Sequence, residues 1–245
     1  MSNTIILIPS RLNATRLPNK PLLKINNKSI INHVYEKALS TKIGDAYVVT
    51  GDQEIYNEVI KNGGKCILTQ KNHKTGTDRI FEAFQRLNDT KVQYIINLQG
   101  DEPNIDINDL KHLNKLIEVN KPEIGTLASK IENKSNLKNE NVVKVITDEK
   151  ITDRNFPIAL DFKRIVNNSN LNIYHHLGVY AYKPNILKKI IKLKQTNSEI
   201  KYRLEQLRAM ENGIKINVAL ANFCPVGVDT MEDYLELKKK LEYNS

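Results

Sequence analysis

Short apolar runs alternate with amphipathic segments through the first hundred residues. Ile5–Ile8 is continuously apolar and bounded by Pro9, which reads as a strand buried on both faces. Ile30–Ala38 has helical spacing, Ala46–Thr50 reads as a second strand, and Glu54–Lys61 as a helix stopped by Gly63-Gly64. Lys65–Leu68, Asp78–Leu87 and Tyr94–Leu98 continue as strand, helix and strand. Strands spaced by helices of this length predict an α/β fold with a Rossmann-like, mostly parallel sheet and right-handed crossovers. Ligands of such sheets bind beyond the carboxyl ends of the strands, so the loops after Ile8, Thr50, Leu68 and Leu98 are the ones to inspect.

The pattern then changes. Thr126–Ile131, Val142–Thr147, Ile158–Phe162 and Gly178–Tyr182 read as strands with no helices between them, and the Asn-rich stretch 167–172 as a turn. They predict an inserted, smaller mixed sheet. A helix is expected over Asn197–Asn212, opened by the capping-box spacing Thr196 to Glu199 and closed at Gly213. Ile200, Leu204, Leu207 and Met210 form its expected buried stripe. A strand at Lys215–Leu220 and a helix at Met231–Glu242 close the chain. Residues 1–245 thus read as a single domain with an insertion at about 126–212.

Charge adds a direction. Lys and Arg number 37 against 28 Asp and Glu, a net charge of +9. The excess is spread along the chain, Trp is absent, and Arg is not interleaved with aromatics, which argues against a nucleic-acid partner. Cys66 and Cys224 stand far apart in no metal or disulfide pattern. The first apolar run lacks a basic flank before it, and no apolar stretch approaches the roughly 20 residues needed to span a bilayer. A cytoplasmic protein with no membrane partner is expected.

The loop after the first strand, Pro9–Pro21, carries Arg11, Arg16 and Lys20. It lacks the Gly-rich backbone of a Walker loop, so side chains rather than amides would hold phosphates there. The fourth strand ends in Asn97–Pro103, with Asp101, and a second carboxylate, Asp229, lies in Gly227–Thr230. Each alone also reads as a turn or cap residue. At the same end of one sheet they suit Mg²⁺, which takes one or two carboxylates with phosphate oxygens. In His73–Arg79 small residues allow a base to approach the backbone, and Thr77 is placed to cap the following helix.

Seven segments (IPSRLNATRLPNKPL, TGTDR, NLQGDEP, NVVKV, HHLGVYAY, LEQLR and GVDT) occur in the order and spacing of the 3-deoxy-manno-octulosonate cytidylyltransferases. As a set they identify the chain as similar to that family from Ile5 to about Leu237. The resemblance implies the nucleotide-diphospho-sugar transferase form of the α/β fold. It also implies coupling of CTP to a 3-deoxy-2-keto sugar acid, with release of pyrophosphate, for cell-envelope glycan. A homodimer and Mg²⁺ are implied as well.

Carried onto this chain, Arg11 and Lys20 hold the CTP phosphates with Ser10 and Arg16 nearby, and Thr75, Arg79 and Gln99 form part of the cytidine pocket. Asp101 and Asp229 resemble the metal ligands, and these two with Arg11 and Lys20 make the catalytic set. His176, Tyr182, Glu205 and Gln206 resemble the sugar-binding set, and Arg164 aligns with the family arginine that meets the sugar carboxylate. Departures cluster near Arg164. Ala159–Arg164 replaces a Phe-Ser-Arg run, bringing Asp161 and Lys163, and Thr50-Gly51-Asp52 replaces a more acidic triplet. An altered acceptor pocket is therefore expected, with a sialic-type nine-carbon acid, or a non-catalytic nucleotide-binding paralogue, as the other readings.

Overall fold

A computed structural model describes residues 3–13, 16–167, 172–222, 224, 227–228 and 230–243. The chain divides into two compact units, Met1–Ile107 with Pro225–Ser245, and Asn108–Cys224.

The first unit opens with β1 (Thr4–Ser10), a small hairpin of β2 (Lys24–Ile25) and β3 (Lys28–Ser29), and α1 (Ile30–Ser40). The hairpin turns on Asn26 and Asn27, both at positive φ, the conformation that a two-residue hairpin loop favours. There follow β4 (Ala46–Thr50), α2 (Gln53–Lys61), β5 (Cys66–Leu68), α3 (Gly76–Leu87) and β6 (Tyr94–Asn97). The strands lie in the order β6-β1-β4-β5, every pair parallel, as the alternation of apolar runs and amphipathic segments predicts. Register places Ser10 beside Thr50 and Leu7 beside Asn97, so three strands end close together.

The second unit contains α4 (Ile107–Asn120), β7 (Ile124–Ser129), β8 (Lys144–Thr147), β9 (Ala159–Lys163) and β10 (Asn172–Tyr182). It continues with α5 (Pro184–Ile190), α6 (Asn197–Tyr202), α7 (Gln206–Glu211) and β11 (Ile216–Ala221). Its strands run β11-β7-β10-β8-β9, and only β11 and β7 are parallel. The strands of this part of the chain are thus mixed in direction, as their spacing without intervening helices predicts. The last helix, α8 (Met231–Tyr243), belongs to the first unit. Its Tyr234 and Leu237 pack with Val228, Leu17, Ile25 and Ile30, which pins the basic loop at Leu17.

Several expectations are corrected. The helix over Asn197–Asn212 is two helices, broken where Arg203 takes a left-handed conformation (φ 53). Ile200 is 59% exposed rather than buried. The interior position is taken by Glu199, whose carboxylate receives Nε of Arg208 at 2.8 Å and also meets its Nη2. Hydrophobic spacing has no means of finding a bidentate ion pair nine residues apart. The strand expected at Gly178–Tyr182 begins at Asn172, the strand placed at Thr126–Ile131 runs Ile124–Ser129, and α4 and α5 stand where no helix was expected. Of the turn at 167–172, residues 168–171 lie outside the described residues, and Asn172 already belongs to β10.

Candidate active site

Beyond the carboxyl ends of β1 and β6, the first unit holds a cleft of about 310 Å³. Ser10, Arg11, Arg16 and Lys20 line it from the basic loop, Thr75 and Arg79 from the start of α3, and Gln99 and Asp101 from the turn after β6. All seven nucleotide-binding residues expected, and the expected metal ligand Asp101, therefore share one cavity. Lys20 Nζ donates to Asp101 Oδ2 at 2.6 Å, with the lysine side chain 10% and the aspartate side chain 36% exposed. The backbone N–H of Val228 donates to the Asp101 carbonyl at 3.1 Å, which brings Val228 against the same turn. Asp229 itself lies outside the described residues. Thr230 and Asp233 cap the start of α8 by exchanging backbone and side-chain bonds.

Several contacts hold this loop-built cleft in shape. Buried Asp52 accepts the Leu12 N–H at 2.9 Å and so ties the basic loop to the end of β4. Asp52 is a residue that sequence reasoning missed, noted only as a departure. Arg79 is 4% exposed and donates to Thr69 Oγ1 at 2.7 Å and to the carbonyls of Gln70 and Lys71. Burial lowers its pKa against the opposing charge of Asp52, and Arg11 lowers it further. Gly51 makes that packing feasible, since a Cβ there would stand 2.6 Å from Lys71 Cα and 2.9 Å from the Arg79 guanidinium. Gly100 likewise allows the turn after β6 to approach Pro9, whose carbonyl oxygen would lie 3.0 Å from an added Cβ.

The cap of α3 is Thr75, not Thr77. Thr75 Oγ1 accepts the Asp78 N–H, and the Asp78 carboxylate accepts the Thr75 N–H, a complete capping box, while Thr77 is buried in the first turn. The helix begins two residues earlier than its apolar spacing suggests. Among the described residues, Ser10 Oγ and Asn97 Oδ1 are buried without a hydrogen-bond partner. His73, a further lining residue, pairs with Glu82, which also accepts the Gln70 N–H. Burial pushes the Glu82 pKa up, but the bonds from His73 and Gln70 and the charge of Arg86 bring it below the usual range.

In the second unit two of the residues expected to bind sugar, His176 and Tyr182, lie on β10. The His176 ring lies edge-on to Phe162 at 5.0 Å, Tyr180 follows at 5.3 Å, and Tyr182 stacks on Tyr180 at 5.7 Å. His176 Nε2 meets Thr126 Oγ1 at 3.1 Å, and that hydroxyl donates to the Val179 carbonyl at 2.7 Å, inside a register shift between Leu177 and Tyr180. Burial, then the neighbouring His175, pushes the His176 pKa down to about 3, so its ring is neutral.

Tyr180 is the second residue that sequence reasoning missed. Its hydroxyl is buried with no hydrogen-bond partner among the described residues, and burial, then Tyr182 and Glu205, holds its pKa well above the usual range. The alternation His176, Gly178, Tyr180, Tyr182 was the available signal, because strand residues two apart share a face. Glu205 and Gln206 stand at the start of α7, half-buried, with Glu205 3.9 Å from Arg208. Arg164 spends three of the five N–H donors of a guanidinium on the carbonyls of Tyr202, Glu140 and Arg203. Asp161 and Lys163, the departures beside it, pair with each other at 2.9 Å.

The cytidylyltransferase family profile matches residues 5–216. The protein is 42% identical over 248 residues to 3-deoxy-manno-octulosonate cytidylyltransferase of Thermodesulfovibrio yellowstonii, covering 97% of each chain. It is 38% identical to the enzyme of that name from Bartonella tribocorum, covering 97% of this chain and 98% of the relative. A solved structure of CMP:2-keto-3-deoxy-manno-octonic acid synthetase complexed with CTP matches with a TM-score of 0.90 at 31% identity, over all of both chains. UDP-glucose pyrophosphorylase, at 16% identity and a TM-score of 0.71 over all of both chains, shares the fold alone. By motif, fold and relatives the chain belongs to the 3-deoxy-manno-octulosonate cytidylyltransferases, a family of nucleotidyltransferase enzymes.

Proposed function

We propose that the protein couples CTP to 3-deoxy-manno-octulosonate or a close relative, forming the CMP-sugar and pyrophosphate. The observation that carries this reading is the convergence of Arg11, Arg16, Lys20 and Asp101 in one cleft at the carboxyl ends of parallel strands. Three cations around a triphosphate favour the dispersed negative charge of nucleotidyl transfer, a reaction that depends chiefly on positioning and neutralisation. The acceptor's 2-hydroxyl attacks the α-phosphorus in line, the bond from that phosphorus to the bridging oxygen breaks, and pyrophosphate leaves. Lys20 and Arg11 hold the phosphates, Ser10 offers its unpaired hydroxyl, and Thr75, Arg79 and Gln99 bound the cytidine.

Asp101 fits a Mg²⁺ ligand, because it presents carboxylate oxygens in the cleft where phosphates would bind. Asp229 is proposed as its companion. Bound there, the ion supplies charge neutralisation and polarises the α-phosphate. Among the described residues, no group of three or more His, Cys, Asp or Glu could hold a metal alone, which agrees with a site completed by substrate phosphates.

The acceptor half of the reaction belongs to the second unit, where His176, Tyr180, Tyr182, Glu205 and Gln206 are the proposed sugar contacts. The two N–H donors left on Arg164 are proposed to meet the acid's carboxylate. Asp161 is neutralised by Lys163, so this departure adds no unpaired charge beside Arg164. Leu160, Ile165, Ile200 and Tyr202 are exposed apolar side chains on and beside β9 and α6, and support a homodimer through that edge. No described helix is long and apolar enough to cross a membrane, in keeping with a proposed cytoplasmic role in supplying cell-envelope glycan.

Purified protein with CTP and Mg²⁺ should release pyrophosphate when given 3-deoxy-manno-octulosonate. Release with a nine-carbon sialic acid alone would move the acceptor assignment. Silence with every eight- and nine-carbon acid would overturn the reading.

A further inference from the structure

NVVKV is the motif that neither binding surface uses. Its Lys144, on β8, has no exposed surface. Among the described residues its partners are carbonyls rather than carboxylates: Nζ donates to Asn139 O at 2.8 Å, to Val142 O at 2.7 Å, and to Arg164 O. An ammonium has three donors, and all three are used. The arrangement is costly, because a buried charge with no opposite charge resists desolvation. Burial, then the positive charge of Arg164, accordingly lowers the Lys144 pKa. An apolar side chain of similar volume would avoid that cost. What the charge secures is the carbonyl of Arg164.

The next bonds outward belong to Arg164 itself. Its guanidinium reaches Glu140 O at 2.8 Å, Tyr202 O at 2.7 Å and Arg203 O at 3.1 Å. Tyr202 and Arg203 end α6, Arg203 in the left-handed conformation, and Glu205 and Gln206 follow within three residues. Two cations, each on three carbonyls, thus fasten the 139–142 loop, the end of β9 and the break between α6 and α7. In register Lys144 sits beside His175 and Lys163. Successive strand residues point to opposite faces, so Lys144 lies across the sheet from His176 and Phe162. It has no reach to a ligand on their face.

We propose that Lys144 is a positioning residue for the acceptor: its ammonium fixes Arg164, and Arg164 sets the turn that presents Glu205 and Gln206. This rests on the reading of those two side chains as sugar contacts.

Lys144→Met removes all three donors, and Lys144→Gln keeps two N–H donors without the charge. Steady-state kinetics with each substrate varied should show the KM for the acid raised about tenfold in Lys144→Met and less in Lys144→Gln, the size expected of a misplaced contact. The KM for CTP should stay within about twofold, since no donor to the nucleotide moves. Equal rises in both KM values, or an unchanged acid KM in folded protein, overturn the proposal. A Lys144→Gln chain that fails to fold also overturns it, because the lysine would then serve the whole unit rather than one turn. Glu205→Ala, run alongside, separates the two readings. If it leaves the acid KM unchanged, the acceptor assignment fails; if it raises that KM while Lys144→Gln does not, only the positioning role fails.

Discussion

In the cleft of the first unit the proposed binding side chains are mostly charged and come largely from loops and element ends; on the β10 face they are neutral, aromatic and buried, and come from a regular strand. Each arrangement has its own means of support. Lys20 is held by Asp101, the loop bearing Arg11 is held by Asp52 at Leu12, and Arg79 is held by three oxygens of the 69–71 segment. Charges near water need specific partners to keep them in place, because packing alone does not orient them. His176, Tyr180 and Tyr182 are oriented by ring contacts and the pleat of β10, which leaves a tyrosine hydroxyl unspent. The cleft is held by polar contacts, one of them an ion pair, and the β10 face by packing.

That contrast can be broken by substitution. The largest effect tests the exception in the second unit, its buried ion pair. Glu199→Ala leaves Arg208 charged and buried, and should destabilise the protein by about 3–5 kcal/mol in denaturant titration. A loss under about 1 kcal/mol, the scale of an exposed pair, would mean that packing alone holds α6 against α7. Next comes the donor cleft. Lys20→Ala should lower kcat/KM by about 10²–10³, or about 3–4 kcal/mol, with folding retained. Pyrophosphate release reads it, and near-normal turnover would remove Lys20 from the phosphate site.

Tyr180→Phe should move two quantities in opposite directions. Removing an unpaired buried hydroxyl should leave the free protein as stable or up to about 1 kcal/mol more stable, while the KM for the acid rises about tenfold. Calorimetry and kinetics on the same preparation check both signs, and an acid KM that does not move would show the hydroxyl to be idle.

The smallest effect, per pH unit, comes from His176. Its folded pKa of about 3 lies below the unfolded value near 6.5, so between them the unfolded chain holds the extra proton. Its contribution is fully present above about pH 6.5 and is lost as pH falls, by at most about 1.4 kcal/mol per unit. Unfolding midpoints measured from pH 7 to 4 should fall more steeply for the native protein than for His176→Gln. Parallel curves would show that the ring is protonated in the folded state.

Much of the first unit was legible in the sequence. Its parallel strands follow from continuous apolar runs spaced by amphipathic helices, and the cleft falls where such sheets place ligands. Arg11, Arg16, Lys20 and Asp101 were marked by lying just past strand ends. The second unit was less legible. Apolar stripes imply a continuous helix from Asn197, yet the chain breaks at Arg203, where Arg164 bonds to the carbonyls of Tyr202 and Arg203 from 38 and 39 residues away. Tyr180 escaped notice because nothing in a Tyr-Ala-Tyr run says which hydroxyl is left without a partner.

The sequence by itself determined the strand–helix alternation, the family and the chemistry of the basic loop, since each is written in local spacing and residue type. Tertiary structure alone decided that Asp52 would hold that loop across forty residues, and that Lys144 would be buried against three carbonyls. It also decided that the Tyr180 hydroxyl would be buried with no partner among the described residues. The physical reason is common to all three. A polar group's partner is chosen by where the chain returns in space, and burial then sets the energy of having one, or of lacking one.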